Sequence, residues 1–317
     1  MIDRYLQYIT DIRRYSPRTQ QIYRSVLESF FSFAAVEPKD INVQELRAYE
    51  VFLMEERKES PRTVNLHLSV LSGFCRFLMK EGVLGSNPVK LLTRPKMEKR
   101  LPEFYRAESM EAYLSQTQFL VDEYDAFADA RFYEKRLGRL IINLLYCTGL
   151  RRAELIGLNR GSFDPRRQVL RVCGKGDKIR EIPLVFSLCQ EILLYLQSVD
   201  SMDAGERSPR CAGEGEQPLL QTARGKRLYP VLVDRVVKQE LSGVKGITGR
   251  RSPHVLRHTL ATELLDEGAD LSAIKEMLGH SSLAATQVYT HNSIDKLKRV
   301  YNQAHPRAKN GGKHHGD

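Results

Sequence analysis

The first 85 residues carry apolar side chains at helical spacing. Apolar residues recur at Ile22, Val26 and Phe30, and the same spacing runs from Val64 to Leu78. Spacings of three and four residues place side chains on one face of a helix. Each stretch follows the tetrapeptide Ser-Pro-Arg-Thr, in which serine is a good N-cap and proline suits the first helical position. The pattern predicts a small all-helical unit.

Beyond residue 105 the periodicity changes twice. Residues 140–148 form an apolar run that predicts a buried helix ending before Gly149, and another helix follows this turn. Residues 169–172 and 179–182 alternate apolar and polar positions around a tight turn, which predicts two paired strands. Helical spacing returns from Pro230. The expected fold class is therefore mostly α with a small antiparallel β-sheet (α+β).

A basic segment rich in proline separates the two patterns. Pro88, Pro95 and Pro102 interrupt regular structure there. Two interpretations fit this segment: a solvated linker, or a linker that crosses a polyanion while joining two domains. The predicted organisation is a helical domain at residues 1–88, a linker at 89–104, a second domain at 105–302 and a partly disordered tail at 303–317.

The charge balance of the chain favours an acidic partner. The 317 residues carry a formal net charge of +10, which favours nucleic acid before a membrane surface. A soluble protein that is merely basic is the alternative. The candidates for phosphate contact are the arginines at the two predicted helix starts and the basic residues of the linker: Arg18, Arg62, Arg94, Lys96, Lys99 and Arg100.

The sequence gives no sign of export or membrane insertion. The first fifteen residues mix acidic and basic side chains and lack an apolar core, so no signal peptide is visible. The apolar run at residues 140–145 is too short to cross a bilayer. The cysteines form no close pair and no CxxC motif, which favours incidental thiols over disulfides or zinc ligands. We therefore expect a cytoplasmic protein without a bound metal.

The segment between residues 252 and 291 gathers the strongest candidates for chemistry. It contains His254, Arg257, His280 and Tyr289. A tyrosine hydroxyl is a poor nucleophile at neutral pH because its pKa is about 10. Near several histidines and arginines, Tyr289 becomes a candidate nucleophile for an anionic target, for which a phosphodiester is the best candidate.

Cleavage of a phosphodiester builds negative charge that cationic donors must stabilise. Arg151 and Arg257 are the candidates, because a planar guanidinium suits two oxygens at once. Lys175 lies in the predicted turn between the strands, where it could protonate the leaving oxygen. His254 lies three positions before Arg257 and shares its helix face. Taken singly, each residue has an ordinary structural explanation, so only their combination indicates catalysis.

Three other catalytic motifs are absent from the sequence. Val255 stands where the zinc motif HExxH requires glutamate. Residues 174–178, GKGDK, lack the glycine spacing and the Ser/Thr of a Walker loop, and no serine lies in a GxSxG elbow. These absences argue against the corresponding metalloprotease, P-loop and hydrolase classes.

Five motifs follow one another along the second domain. They are TGLRRAEL at 148–155, GKGDK at 174–178, HVLRH at 254–258, LGH at 278–280 and QVYTH at 287–291. In order and spacing they resemble the motifs of the tyrosine recombinases, also called the phage integrase family, and all six active-site positions of the family pattern are filled. The resemblance spans nearly the whole chain and implies an N-terminal helical core-binding domain of SAM-like fold followed by a catalytic domain.

The resemblance implies a metal-free and ATP-free mechanism without any cofactor. Tyr289 would attack the scissile phosphate, giving a 3′-phosphotyrosyl link and a free 5′-hydroxyl. Arg151, Arg257 and His280 would bind the non-bridging oxygens, and Lys175 would be the general acid. Attack by the 5′-hydroxyl of another duplex would rejoin the strands, through a Holliday junction held by four protomers.

The resemblance also implies supporting residues around this site. His254 would accept or position the tyrosine proton. We expect Glu154 to brace an arginine across the site and His258 to support neighbouring side chains.

Within the family the chain looks most like the XerC/XerD-type recombinases, which resolve chromosome dimers. It begins almost directly with the core-binding helices, so we expect no separate arm-site domain, and LKRVYNQAHPRA near its end resembles the Xer terminus. Residues 119–136 depart from the compact Xer pattern, and we interpret them as a helical insertion or a protein contact. An integrase of a mobile element is the alternative.

The implied partners are double-stranded DNA with a specific core site, a homo- or heterotetramer in the synaptic complex, and a DNA translocase as activator. Residues 294–301 have helical apolar spacing, which fits packing in cis or docking on an adjacent protomer.

Two other classes of protein compete with the recombinase interpretation. A type IB topoisomerase-like activity is disfavoured by the small N-terminal unit, and a non-catalytic DNA-binding regulator by the presence of all six site residues.

Overall fold

The structure is a computed structural model, and it describes residues 1–97, 103–118, 120, 130–174, 179–206 and 217–279. The chain divides into two compact units, residues 1–100 and residues 101–317. At residues 130, 131 and 202–206 only the backbone is described. No helix of the described residues is long and apolar enough to span a bilayer.

The first unit is helical, as the sequence predicts. Its helices are α1 (Ile2–Asp11), α2 (Pro17–Ala34), α3 (Val43–Val51) and α4 (Pro61–Lys80), and α3 continues into a π-helical turn, Phe52–Glu56. Apolar faces of all four helices meet in one core, in which Leu27, Leu46 and Phe74 are fully buried. Burial in this shared core holds α1 and α3 in place, since helices of 10 and 9 residues are marginal alone in water.

The Ser-Pro-Arg-Thr sequences begin α2 and α4. The Ser16 hydroxyl accepts a hydrogen bond from the Thr19 backbone N–H at 3.3 Å, and Ser60 accepts one from Thr63 at 3.2 Å. Proline occupies the first helical position in both helices. The predicted helix starts are confirmed.

The chain after α4 stays packed on the first unit. A 3₁₀ turn spans Pro88–Leu91, and Val89 is buried in the helical core. The Asn65 side-chain amide donates to the Pro95 carbonyl at 2.9 Å. The first part of the predicted linker, residues 89–104, therefore has fixed contacts with the first unit as far as Pro95.

The second unit combines helices with a small sheet. Its elements are α5 (Ala107–Gln116), α6 (Ala130–Thr148), α7 (Arg152–Gly157), β1 (Phe163–Asp164), β2 (Val169–Cys173), β3 (Ile179–Pro183), α8 (Phe186–Glu206), α9 (Pro230–Glu240), α10 (Pro253–Asp266) and α11 (Leu271–Leu278). The strands form an antiparallel sheet in the order β1-β2-β3, with Leu170 opposite Ile182. The predicted fold class, mostly α with a small antiparallel sheet, is confirmed.

Helix α6 is the centre of the second unit. It packs against α8, α9 and α10, and its last three turns are fully buried. The chain then turns at Gly149, whose φ of +62° is left-handed. A Cβ atom there would overlap Leu278 Cδ2 and lie 3.1 Å from Leu260 Cδ2, so this close approach of α6 to α10 and α11 requires glycine.

Candidate active site

Arg151 is the N-cap residue of α7, two positions after the Gly149 turn. Its backbone N–H donates to Glu154 Oε2 at 2.9 Å, and its Nη1 donates to Glu154 Oε1 at 2.8 Å. Glu154 thus holds both the backbone and the side chain of Arg151. The Arg151 side chain is 41% exposed, so part of its guanidinium is accessible.

Arg257 lies on α10 and is almost completely buried, with 5% of its surface exposed. Its Nη1 donates to the Gly149 carbonyl and its Nη2 to the Leu278 carbonyl, both at 2.6 Å. Burial, followed by the like charge of Arg151, lowers the pKa of Arg257 to about 10. Arg257 therefore remains a cation at neutral pH.

A third arginine, Arg180 on β3, belongs to the same cluster, and it is not among the candidates predicted from the sequence. Its Nη1 and Nη2 donate to the two carboxylate oxygens of Glu154 at 3.0 and 2.8 Å. Its Nε donates to the Met277 carbonyl at 3.0 Å. Strand alternation was the available signal, because Arg180 shares its face with Ile182, which is buried.

The three arginines together cap the end of α11. The consecutive carbonyls of Met277, Leu278 and Gly279 accept hydrogen bonds from Arg180, Arg257 and Arg151 respectively. The last carbonyls of a helix have no partner within the helix, and cations are favourable at this end. The residue that follows Gly279 in the chain is His280.

The carboxylate of Glu154 accepts hydrogen bonds from both Arg151 and Arg180. Burial raises its pKa, but hydrogen bonds from Arg180 and Arg151 outweigh burial, and the pKa lies below its ordinary value. Three guanidinium groups and one carboxylate leave a net positive charge. Such a group suits a phosphate, whose oxygens arginine can bind two at a time.

His254 and His258 lie one turn apart on α10, beside the arginines. Their Nε2 atoms are 3.2 Å apart, and His254 is exposed. Partial burial, followed by the charges of His258 and Arg257, lowers the pKa of His254 below its ordinary value. His254 is therefore neutral at pH 7 and can accept a proton.

The structure brings together Arg151 and Arg257, with His254 on the same helix as Arg257. Glu154 contacts Arg151, and His258 contacts His254. The remaining three candidates for catalysis, Lys175, His280 and Tyr289, lie outside the described residues. Lys175 comes two positions after the end of β2 in the sequence.

Two of the predicted phosphate contacts share one surface of the first unit. Arg62 and Arg94 line a groove along α4 together with Asn65 and Pro95. Arg94 Nη1 also donates to the Ser69 hydroxyl at 2.9 Å.

The other predicted phosphate contacts are separate from this groove or outside the described residues. Arg18 is exposed at the start of α2, and Lys96 is exposed next to the groove. Lys99 and Arg100 lie outside the described residues. In the part of the chain that is described, no group of three His, Cys, Asp or Glu side chains could hold a metal ion.

Two buried arginines and the partly exposed Arg151 form a positively charged site that suits a phosphate group. The family model described as "Phage integrase family" matches residues 119–295. The model "Phage integrase, N-terminal SAM-like domain" matches residues 1–83. The chain belongs to the phage integrase family, the tyrosine recombinases, and is a site-specific DNA recombinase.

Two relatives of similar length match almost the whole chain. Tyrosine recombinase XerC of Chlorobaculum parvum is 34% identical, over 97% of this chain and 94% of the relative. Tyrosine recombinase XerC of Pelobacter propionicus is 35% identical, over 94% of this chain and 92% of the relative. The sequence interpretation of a XerC-like tyrosine recombinase is confirmed.

Solved structures share the fold. The Tn1549 transposon integrase in complex with circular intermediate DNA superposes with a TM-score of 0.63, at 18% identity, over 93% of this chain and 97% of that chain. A lambda integrase dimer bound to a COC′ core site superposes with a TM-score of 0.60, at 19% identity, over 91% and 97%.

Proposed function

We propose that this chain breaks and rejoins DNA through a covalent bond between the Tyr289 oxygen and a 3′ phosphate. The observation that carries the proposal is the pair Arg151 and Arg257, fixed on the end of α11 with a net positive charge around them. Attack by Tyr289 on phosphorus would release the 5′ oxygen of the next nucleotide. The reverse reaction, with a 5′-hydroxyl from a second duplex, would release the tyrosine and exchange the strands.

Each candidate residue has a role that its chemistry suits. Arg151 and Arg257, with His280, would stabilise the negative charge that develops on the non-bridging oxygens. Lys175 would protonate the leaving 5′ oxygen. His254 is neutral at pH 7, which suits a group that accepts or positions the proton of Tyr289.

The biological role we propose is the resolution of chromosome or plasmid dimers at a specific DNA site. Support comes from XerC relatives that match almost the whole chain. Integration of a mobile element is the second candidate, because the solved structures of the same fold include a transposon integrase. Recombination in a strain that carries a chromosomal dimer site, compared with a strain that carries the ends of a mobile element, separates the two roles.

The assembly we propose is a tetramer of this chain, alone or with a related recombinase, on two copies of a core site. Residues 294–301 would dock on an adjacent protomer. A chain truncated after His291 should then bind a single site normally but fail to bring two sites together. Normal recombination by the truncated chain would contradict docking between protomers. Activation by a DNA translocase and location in the cytoplasm complete the proposal.

A nicked suicide substrate tests the chemistry. Cleavage beside the nick releases a short oligonucleotide, so the covalent protein–DNA product accumulates and can be counted on a denaturing gel. The wild-type chain should form it and Tyr289→Phe should not, with equal DNA binding by both. An adduct through another side chain, or none on a site that the protein binds, would contradict the proposal and favour a non-catalytic regulator.

A second assay separates recombination from nicking and closing. Two duplexes with different labels are mixed with the protein, and joined products that carry both labels are measured. A recombinase produces them, whereas a topoisomerase-like enzyme only relaxes supercoiled DNA. Binding of the site should also weaken steeply with salt, because phosphate contacts release counterions.

A further inference from the structure

We infer that Arg180 is a positioning residue for strand cleavage, which fixes the relative placement of Arg151 and the chain that leads to His280. This inference rests on the proposed function. Arg180 is buried, with 5% of its surface exposed. Its Nε, Nη1 and Nη2 atoms all donate to protein acceptors, namely the Met277 carbonyl and the two oxygens of Glu154. Arg180 therefore acts through these groups.

The first connection runs through Glu154 to Arg151. The same carboxylate that accepts from Arg180 also accepts from the backbone N–H and the Nη1 of Arg151. The two donors of Arg180 fix the plane of the carboxylate and leave its other lone pairs for Arg151. Without Arg180, the carboxylate of Glu154 would be free to rotate toward Arg151 and neutralise its charge.

The second connection runs through the Met277 carbonyl to the end of α11. Met277 lies three positions before His280 in the sequence. A Cβ atom on Gly279 would lie 3.1 to 3.3 Å from the guanidinium atoms of Arg180, so this glycine leaves room for the arginine. The glycine of the Leu-Gly-His motif is explained by this contact as well as by its φ of +66°.

The third connection is the strand itself. Arg180 lies opposite Val172 in the ladder between β2 and β3, one pair before Cys173 and Ile179 end it. The chain between these two strand ends contains Lys175. The guanidinium of Arg180 thus joins the segment that carries Arg151 to the segment that leads to His280. The pairing of its strand with β2 also places Arg180 near the strand end that leads to Lys175.

Arginine is required by the geometry of these contacts. A planar guanidinium donates to both oxygens of a carboxylate and, through Nε, to a third acceptor in the same plane. A lysine keeps the charge, but its ammonium is a compact point charge on a flexible stem and lacks the planar fork. Arg180→Lys therefore tests geometry at constant charge, and Arg180→Gln tests both together.

The experiment is single-turnover cleavage of the suicide substrate at saturating protein, recording the rate constant and the final amount of adduct. Both Arg180 variants should cleave about 10- to 100-fold more slowly, while the final amount of adduct and the Kd for site DNA stay within about twofold. The matched control is Arg167→Gln, since Arg167 makes a similar two-bonded pair with Glu181 on the same strand. It should cleave at the wild-type rate.

A double-mutant cycle tests the route through Glu154. Glu154→Gln and Arg180→Gln are combined, and the double variant should cleave no more slowly than the slower single variant. If the two rate reductions multiply in the double variant, the route through Glu154 is contradicted.

The alternative is a purely structural role for Arg180. It predicts less folded protein, and so a smaller final amount of adduct at an unchanged rate constant. That result, or a wild-type rate in Arg180→Lys, would overturn the inference. If the wild-type chain forms no adduct, the proposed function fails instead.

Discussion

The Nη2 atom of Arg151 donates a hydrogen bond to the carbonyl oxygen of Gly279 at 2.8 Å. Gly279 directly precedes His280, which we propose to bind the same phosphate as Arg151. Arg151 is therefore fixed to the backbone one position before His280. Placing charge in advance avoids reorganisation during the reaction, which is the main way in which such sites lower a barrier.

Arg257→Lys should lose most of its cleavage activity but keep its affinity for DNA. One ammonium group cannot reach the Gly149 and Leu278 carbonyls in the geometry of the guanidinium. We expect the single-turnover rate constant to fall about 10²- to 10³-fold. Arg235→Lys, an exposed position on α9, is the control. Equal rates for the two variants would show that the fork of Arg257 is not needed.

Gly149→Ala should destabilise the second unit more than Gly268→Ala. Both glycines have positive φ, +62° and +81°, but a Cβ atom meets Leu278 at Gly149 and nothing within 4 Å at Gly268. At Gly268 we expect the free energy of unfolding to fall by about 1–2 kcal/mol, from backbone strain alone. At Gly149 we expect a further fall of about 1–3 kcal/mol, because the added Cβ overpacks the core. Urea unfolding measures both, and equal losses would exclude a packing role for Gly149.

His258→Asn should move the acidic limb of the cleavage rate to higher pH. The charges of His258 and Arg257, after burial, hold the pKa of His254 below its ordinary value. If neutral His254 accepts or positions the proton of Tyr289, the cleavage rate of the wild-type chain falls only as the pH drops below about 6.5. Removing His258 raises the pKa of His254, so the fall begins at higher pH. A pH profile of single-turnover cleavage measures this, and an unmoved limb would contradict the assignment of His254.

Glu263→Gln should stabilise the protein at pH 8 and change little at pH 4. Burial raises the pKa of the Glu263 carboxyl to about 7, although Tyr146 donates to it. A carboxyl with a raised pKa binds more protons folded than unfolded, so stability falls as the pH rises from about 4.3 to about 7. Glutamine stays neutral throughout.

At pH 8 the free energy of unfolding of Glu263→Gln should exceed that of the wild-type chain by up to about 2 kcal/mol, after allowance for solvent screening. Urea unfolding at pH 4 and pH 8 measures it. Glu134→Gln on the exposed side of α6 is the control. An equal effect at the two pH values would contradict the raised pKa.

Local features of the fold were predictable because their causes are local. Ser16 and Ser60 mark helix starts through bonds to residues three positions away. The strands β2 and β3 follow from alternation of apolar and polar residues on either side of a predicted turn. The beginning of α6 was less visible, because buried charges such as Arg139, which pairs with Glu191 at 3.3 Å, interrupt its apolar pattern.

The arginine cap on α11 was not predictable from sequence. Arg180 and Met277 are 97 positions apart, and their contact depends on how β3 packs against α11. The chemistry of phosphodiester cleavage pointed to Arg151 and Arg257 as cations, and the family resemblance pointed to Glu154 as a brace. Neither indicated that Glu154 holds two arginines, because the second, Arg180, lies on a strand whose pattern shows only which face the side chain is on.

The short helix α11 has a length that its surroundings fix. One residue inserted between Asp270 and Gly279 would rotate the helix end by about 100°, since a turn takes 3.6 residues. Its three terminal oxygens would then point away from all three guanidinium groups at once. Natural variation in this part of the chain should therefore exchange side chains freely on the outer surface of the helix, while insertions and deletions within the helix should be rare.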